Sequence, residues 1–258
     1  MDTRGEISQP DSSGNRRDVE ALMNYSAVAG LDRRTVPIRD ARGLTDLSLD
    51  REGFVLAERP TAVRDFYDAG EVRAVYYPEV AKLLTDLTGA TRAQVFEHDV
   101  RCDTRARHDK SVRTPVRMIH DDYTAKSSPE RIRLYLPDEA DELTRKRYAI
   151  INVWRAIRGP VESTPLAVCD ASSVAPEDLL PTEEGVKHEV YLLRYRDRHR
   201  WYYFPRMQRE EALVLKCFDT AEGIVGRCTA HSAFDDPNTP ADAAPRESIE
   251  ARAFVFYG

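Results

Sequence analysis

Cysteine is scarce in this sequence. Four occur in 258 residues, Cys102, Cys169, Cys217 and Cys228, with no CxxC spacing among them. That argues against a disulfide framework and predicts reduced thiols packed as small apolar side chains. Long apolar runs are missing as well. None approaches the roughly 20 residues that a membrane-spanning helix needs. The opening stretch, MDTRGEISQPDSSGNRRD, lacks the apolar core of a signal peptide. Positive charge is neither clustered nor in excess: 38 Lys and Arg against 44 Asp and Glu leave a net charge of −6. A nucleic-acid binder working by phosphate neutralisation is thereby disfavoured. No internal repeat is present. The expectation is an acidic cytoplasmic globular protein with no membrane or nucleic-acid partner. Its 41% hydrophobic content is enough for a substantial core.

Residues 1–18 are polar and aperiodic and read as a mobile tail. Residues 19–258 read as a single domain. From Val19 to Arg92 the pattern mixes helix and loop, with Val80, Leu83, Leu84 and Leu87 at helical spacing before a stop at Gly89. Strands are predicted over Ala93 to Arg101, with Val95, Glu97 and Asp99 on one face, and over Val116 to His120. Ser128 to Arg147 reads as helix, with Ser128 as cap and Pro137 as divider. Short runs rich in β-branched and aromatic residues follow, at 148–154, 165–169, 189–195, 200–204, 212–218 and 248–257, separated by turn signals. The fold class is mainly β with flanking helices: a barrel with helices outside.

Two histidines stand apart from the other four. His120 ends an apolar run and begins an H-x-D with Asp122; two residues apart on a strand, the pair shares a face. His231 lies in a short segment, CTAHSAF, that barrel closure could bring alongside. Two imidazoles and a carboxylate on one face of an iron leave three positions open, the facial triad of non-haem Fe(II) oxygenases. The bland alternative gives each histidine an ordinary hydrogen bond at a strand end. His120-Asp121 is also the HD dipeptide of metal phosphohydrolases, although the strand-like flank disagrees with their helical ligand sites. Near the last strand, Arg246 and Ser248 share a face and would suit a carboxylate. A solvated edge strand with alternating charges explains them equally well. Asn152, if it points inward, needs a partner, and a cosubstrate carboxylate is one. Trp154, Trp201, Tyr202, Tyr203 and Phe204 read as core before pocket. His98 reads as a satisfied core histidine, His108 as solvated, His188 and His199 as surface residues. Tyr135 borders the mouth and Arg131 reads as an exposed helix face.

The segments HDDYT from His120, INVWR from Ile151, PLAVCDA from Pro165, HRWYYFP from His199, HSAFDDP from His231 and PRESIEARA from Pro245 occur in order. Together they resemble the Fe(II)/2-oxoglutarate-dependent hydroxylases and desaturases related to the cephamycin 7α-methoxylase component, labelled gibberellin-desaturase-like in fungi. The resemblance covers residues 93–257. It implies a double-stranded β-helix, or jelly-roll, core of the cupin kind, with His120, Asp122 and His231 as iron ligands. It further implies Arg246, with Ser248, as the site for the distal carboxylate of 2-oxoglutarate. Fe(II), 2-oxoglutarate and O₂ are the implied cofactor and cosubstrates, and the partner is a small-molecule biosynthetic intermediate. The products of 2-oxoglutarate are succinate and CO₂; hydroxylation, desaturation, cyclisation and peroxidation of the substrate are all open. Ala156 and Ala230 stand where the family often has Pro, departures that bear on pocket shape. A zinc hydrolase or isomerase on the same barrel and a non-catalytic binding protein are the rivals. No oligomeric state follows.

Overall fold

The computed structural model describes residues 17–27, 30–182 and 188–258. Its first element is a hairpin that the sequence reading missed. β1 (Val19–Ala27) and β2 (Gly30–Asp40) pair antiparallel from Val19↔Ile38 to Ala27↔Gly30. Val19, Ala21, Met23 and Tyr25 are buried at a period of two. Leu22, 54% exposed on the other face, blurs the alternation that would have revealed the strand. Arg17 and Asp18 are not free either: Asp40 Oδ2 accepts from the Arg17 amide, and Asp18 Oδ1 from the Asp40 amide. The rest of the expected tail lies outside the described residues.

After β3 (Phe54–Glu58), α1 (Ala69–Glu71) runs through a π-helical turn (Val72–Tyr76) into α2 (Tyr77–Thr88). Gly89 ends it in the left-handed conformation at φ 67°. Val80, Leu83 and Leu84 are buried as expected, whereas Leu87 is exposed. β4 (Arg92–Arg101), β5 (Val112–Arg113) and β6 (His120–Asp121) follow, then α3 (Ser127–Tyr135) and α4 (Ala140–Leu143), divided around Pro137. Ser128 is not the cap. Thr124 Oγ1 accepts from the Lys126 and Ser127 amides, while Ser128 Oγ lies 3.0 Å from the Tyr148 hydroxyl. The remaining strands are β7 (Tyr148–Ala156), β8 (Leu166–Cys169), β9 (Leu179–Pro181), β10 (Tyr191–Leu193), β11 (Trp201–Tyr203), β12 (Glu211–Asp219), β13 (His231–Ala233) and β14 (Ser248–Phe256).

These strands form two sheets, ordered β1-β2-β11-β8-β13-β6-β10-β9 and β3-β12-β7-β14-β4-β5. One face of the smaller sheet, with Ile151, Val153, Val214, Ala251 and Val255, packs beneath α2. Its other face presents Ile150, Trp154, Leu213, Leu215 and Phe254 to Leu166, Val168 and Phe204 of the larger sheet. The larger sheet curls on itself. Isolated bridges Asn24↔Met118 and Ser26↔Arg194 bring β1 against the chain flanking β6 and β10. A third core cluster forms inside the curl, around Met23, Tyr25, Ile38, Ile119, Cys169, Trp201 and Phe234. The result is the mainly β, nearly closed jelly-roll architecture that was expected, with strands beginning at Val19.

Two details of register matter for the site. β14 is not an edge strand: it lies between β7 and β4, and every residue in it is buried. That removes the solvated-edge explanation of its charges. Ser248, Glu250 and Arg252 share the inward face with Phe254, while Ile249, Ala251 and Ala253 face α2. In β4, Arg252 pairs with Glu97 and Ala253 with Val95, so Phe96 is the extra residue of a bulge. The bulge corrects the predicted face: Val95 packs under α2 with Val100, and Glu97 and Asp99 reach Arg252.

Candidate active site

His120 on β6 and His231 on β13 are cross-strand partners. Both rings are fixed in the same way. His120 Nδ1 lies 2.8 Å from the Met118 carbonyl, and His231 Nδ1 lies 2.9 Å from the Thr229 carbonyl. A carbonyl can only accept, so each Nδ1 is assigned the hydrogen and each Nε2 keeps its lone pair. The ring centroids are 4.5 Å apart at 53°. Thr229 is itself clamped, its hydroxyl donating to the Gly53 carbonyl at 2.9 Å. Gly53 has φ +87°, and a Cβ there would collide with the same hydroxyl.

Asp122 follows directly on β6, and its Oδ1 lies 3.5 Å from His120 Nε2. One ligand atom from each of His120, Asp122 and His231 lies within 4.8 Å of the other two. The second carboxylate oxygen, Oδ2, accepts from Asn152 Nδ2 at 2.7 Å and from Arg252 Nε at 3.0 Å. Burial acts to raise the Asp122 carboxyl, but Arg252 and His120 outweigh it and hold the group well below the usual carboxylate range. Burial acts to lower His120, and Asp122 beside it more than compensates. His231 is lowered by burial and by His120.

Asp121 does not join this cluster. It is fully buried, neither of its oxygens has a hydrogen-bond partner, and burial with the Asp122 charge pushes its carboxyl well up. Asp121, Cys217 and His231 also converge within 4.8 Å. Burial, then Asp121, likewise pushes the Cys217 thiol well up. Both groups therefore favour their neutral forms, which ligate metal poorly.

Arg246 sits two residues before β14 and is buried, its guanidinium 5.5 Å from the Trp154 ring centroid. NH1 donates to the Thr164 carbonyl at 2.7 Å, while Nε has no partner. Thr164 is held at φ 48°, an unusual conformation for a β-branched residue. Burial, with Arg101 nearby, lowers Arg246 to about 9, which still leaves it charged at neutral pH. Ser248 Oγ is buried without a partner. A narrow cleft, with open space of only about 10 Å³, is lined by His120, His231, Trp154, Leu166, Arg246 and Glu250 among others. A larger surface cleft lined by Val161, Tyr203 and Arg206 contains none of the candidate site residues.

The neighbouring residues fall partly as expected. Trp154, Trp201, Tyr203 and Phe204 are core, and His98 is satisfied by the Tyr77 hydroxyl at 2.9 Å. His108 is exposed. Three cysteines are buried and Cys228 is partly so. Other expectations need correction. Asn152 points inward, but its amide meets Asp122. Arg131 is buried, bonded to Glu97 at 2.9 Å, with the Tyr135 hydroxyl on the same oxygen. His199 is buried against Asp178 at 3.2 Å, and His188 is half-buried and stacked on Tyr123. The ion cluster behind Asp122 was missed. Arg252 meets Asp122, Asp99 at 2.9 Å and Glu250 at 2.7 Å. The series Ser248, Glu250, Arg252 on one strand face was its sequence signal, which suggested alternating surface charge or, for Arg252, a second candidate anchor for 2-oxoglutarate.

With this geometry in place, the comparisons give the class. A family model described as YDMC, oxidoreductase/YMDC permease-like domain, matches residues 8–256. Among the described residues no helix is long and apolar enough to cross a membrane. The hydroxylase/desaturase CTB9 of Cercospora beticola is 34% identical over 273 residues, covering 93% of this chain and 83% of that protein. The α-ketoglutarate-dependent dioxygenase phiK of a fungal species is 31% identical, covering 98% and 94%. The solved structure of the iron and α-ketoglutarate-dependent endoperoxidase NvfI superposes with a TM-score of 0.85 at 27% identity, covering 95% of this chain and 99% of that one. The chain belongs to this family, the fungal Fe(II)/2-oxoglutarate-dependent dioxygenases. Within it, the relatives include hydroxylase/desaturases and an endoperoxidase, so the family spans several oxidative outcomes.

Proposed function

We propose that His120, Asp122 and His231 hold the Fe(II) of this dioxygenase, and that Arg246 with Ser248 binds the distal carboxylate of 2-oxoglutarate. The observation that carries the reading is the donor set. Two imidazoles have their Nδ1 atoms engaged by backbone carbonyls, and one carboxylate has a single oxygen left free. All three meet within 4.8 Å, as a divalent iron site with open positions requires. Arg246 lines the same cleft as the histidines with its Nε unpartnered, and the Ser248 Oγ two residues on is also buried without a partner, so both have a donor to give an anion.

Iron bound there, with 2-oxoglutarate and O₂, supplies the oxidising chemistry, the cosubstrate leaving as succinate and CO₂. The protein's own residues do the positioning. Arg246 orients a carboxylate by charge and fork geometry, and the Trp154 ring beneath it keeps water from competing. The backbone carbonyls of Met118 and Thr229 keep both imidazoles facing the same point. The substrate on this reading is a small-molecule intermediate of specialised metabolism. A net charge of −6 and four free thiols support a cytoplasmic protein without a nucleic-acid partner. We assign residues 19–258 to one oxygenase domain.

The experiment is anaerobic Fe(II) titration followed by succinate release from 2-oxoglutarate in air, for the wild type and His231→Ala. Stoichiometric iron and succinate formation in the wild type alone are expected. Equal iron binding in the variant would overturn the assignment.

A further inference from the structure

The environment of Asp122 is asymmetric, and the asymmetry falls between its two oxygens. Oδ2 accepts from Asn152 Nδ2 at 2.7 Å and Arg252 Nε at 3.0 Å; Oδ1 faces His120 Nε2 at 3.5 Å. A carboxylate oxygen has two in-plane lone pairs. Two donors on Oδ2 occupy both, so that oxygen has none left to give. Oδ1 accepts no hydrogen bond from Asn152 or Arg252. The donors are themselves held. Asn152 and Arg252 are cross-strand partners on β7 and β14, and both side chains are buried. Arg252 NH2 meets Glu250 Oε1 at 2.7 Å, and its NH1 meets Asp99 Oδ2 at 2.9 Å. Asn152 Nδ2 also reaches Glu250 Oε1 at 3.3 Å. The guanidinium fork is therefore fixed by two further carboxylates and cannot swing away from Asp122 without leaving them unpaired.

We propose that Asn152 and Arg252 are positioning residues that restrict Asp122 to one-oxygen coordination of the metal, with Glu250 holding Arg252 in place. The proposal rests on the iron-site reading above. Its consequence is a count of open positions. Two imidazoles and a one-oxygen carboxylate leave three positions on a six-coordinate ion, enough for a two-point cosubstrate and O₂. A two-oxygen carboxylate would leave two, and O₂ would have nowhere to bind once 2-oxoglutarate was in place. Ordering Asp122 through donors on the far oxygen is also how neighbouring groups raise metal affinity in general, by about 10–100-fold.

The test needs no turnover. Mn(II) is bound anaerobically to the full chain without 2-oxoglutarate, and the waters on the ion are counted from ¹⁷O-water broadening of its electron paramagnetic resonance lines. The wild type is compared with Asn152→Ala, Arg252→Lys and His231→Ala. Thermal melting checks that each variant is folded. Asn152→Ala is included because Arg252→Lys strands three carboxylates and can fail to fold. Three waters in the wild type and two in Asn152→Ala are expected, because one freed lone pair on Oδ2 can reach the ion. Arg252→Lys, where folded, should behave the same way. Three waters in every folded clamp variant would overturn the proposal while leaving the iron site standing. Mn(II) binding unchanged by His231→Ala would overturn the iron site itself, and the clamp with it.

Discussion

Arg246 offers the sharpest perturbation, because its proposed role and its cost to the fold have opposite signs. In the free protein the guanidinium is buried, makes one hydrogen bond to a neutral carbonyl, and has no carboxylate within salt-bridge distance among the described residues. A buried charge without a counter-ion destabilises a fold. Replacing Arg246 with methionine keeps the apolar stem over Trp154 and removes that charge, at the expense of the bond to Thr164, about 1 kcal/mol. The melting temperature should therefore hold or rise. Cosubstrate binding should move the other way. Two charge-assisted hydrogen bonds to a carboxylate are worth about 1.5–3 kcal/mol each, so their loss weakens 2-oxoglutarate by about 10²–10⁴-fold. Arg246→Lys should recover part of this, since an ammonium keeps the charge and loses the fork. Iron affinity should change little in either variant.

Arg252, on the same strand face, is the competing anchor. It is already engaged by Asp122, Asp99 and Glu250, which balance its charge and hold its fork toward the carboxylates behind Asp122. Anaerobic titration of 2-oxoglutarate into the Fe(II) protein, followed by calorimetry, decides between them. Unchanged affinity in Arg246→Met would refute the argument. A fall in melting temperature of several degrees would show that Arg246 is a structural residue and not a held-ready anion site.

Four further outcomes are expected. His120→Ala and His231→Ala should lose stoichiometric iron, measured by metal analysis after anaerobic reconstitution, while keeping a cooperative melt. Asp122→Ala should lose iron too, whereas Asp121→Ala should retain it; the reverse ranking would make Asp121 the ligand. Gly53→Ala should lower both the melting temperature and iron affinity. It meets a positive φ and the Thr229 hydroxyl at once, and any shift of Thr229 moves the carbonyl that orients His231. Asp178 is buried, yet the Ala175 amide, His199 and Arg198 outweigh that burial and lower its carboxyl. Its stabilisation is therefore complete above the unfolded value near ~3.9 and fades as pH falls through the lower folded one. Asp178→Asn should lower the melting temperature at pH 7, with the gap narrowing in acid.

What could be read from the sequence divides by the reach of each signal. Gly89 stops a helix and Pro137 divides one because each acts on the backbone within a turn of itself. The pairing of His120 with Asp122 was legible for the same reason: two residues apart on an extended chain are neighbours in any fold. The N-terminal hairpin was not. Its alternation is interrupted by the exposed Leu22, and its inward side chains find their partners only when β1 bridges to Met118 and Arg194. The bulge at Phe96 was invisible because nothing in β4 alone says where β14 will slip by one residue.

The ion cluster behind Asp122 shows this limit most clearly. Asn152 is 30 residues from Asp122 and Arg252 is 130. In its own window, Arg252 is one more charge on a strand and Asn152 one polar residue in an apolar run. Each acquires a role only through the register of β4, β7 and β14, which sets Glu97, Asn152 and Arg252 side by side across three strands. Sequence motifs therefore found the atoms proposed to touch the metal, and missed the atoms that decide how one of them touches it. The two sets differ in kind. Ligands are recognisable by residue type and local spacing, because metals demand particular donors. The groups that orient them need only be a donor at the right distance, a role that several residue types can fill from any strand that passes. For this chain, the ligand set would survive a wrong guess about strand register. The one-oxygen coordination of Asp122 would not: a one-residue slip of β14 would turn Arg252 out toward α2 and leave Asn152 as the single donor on Oδ2.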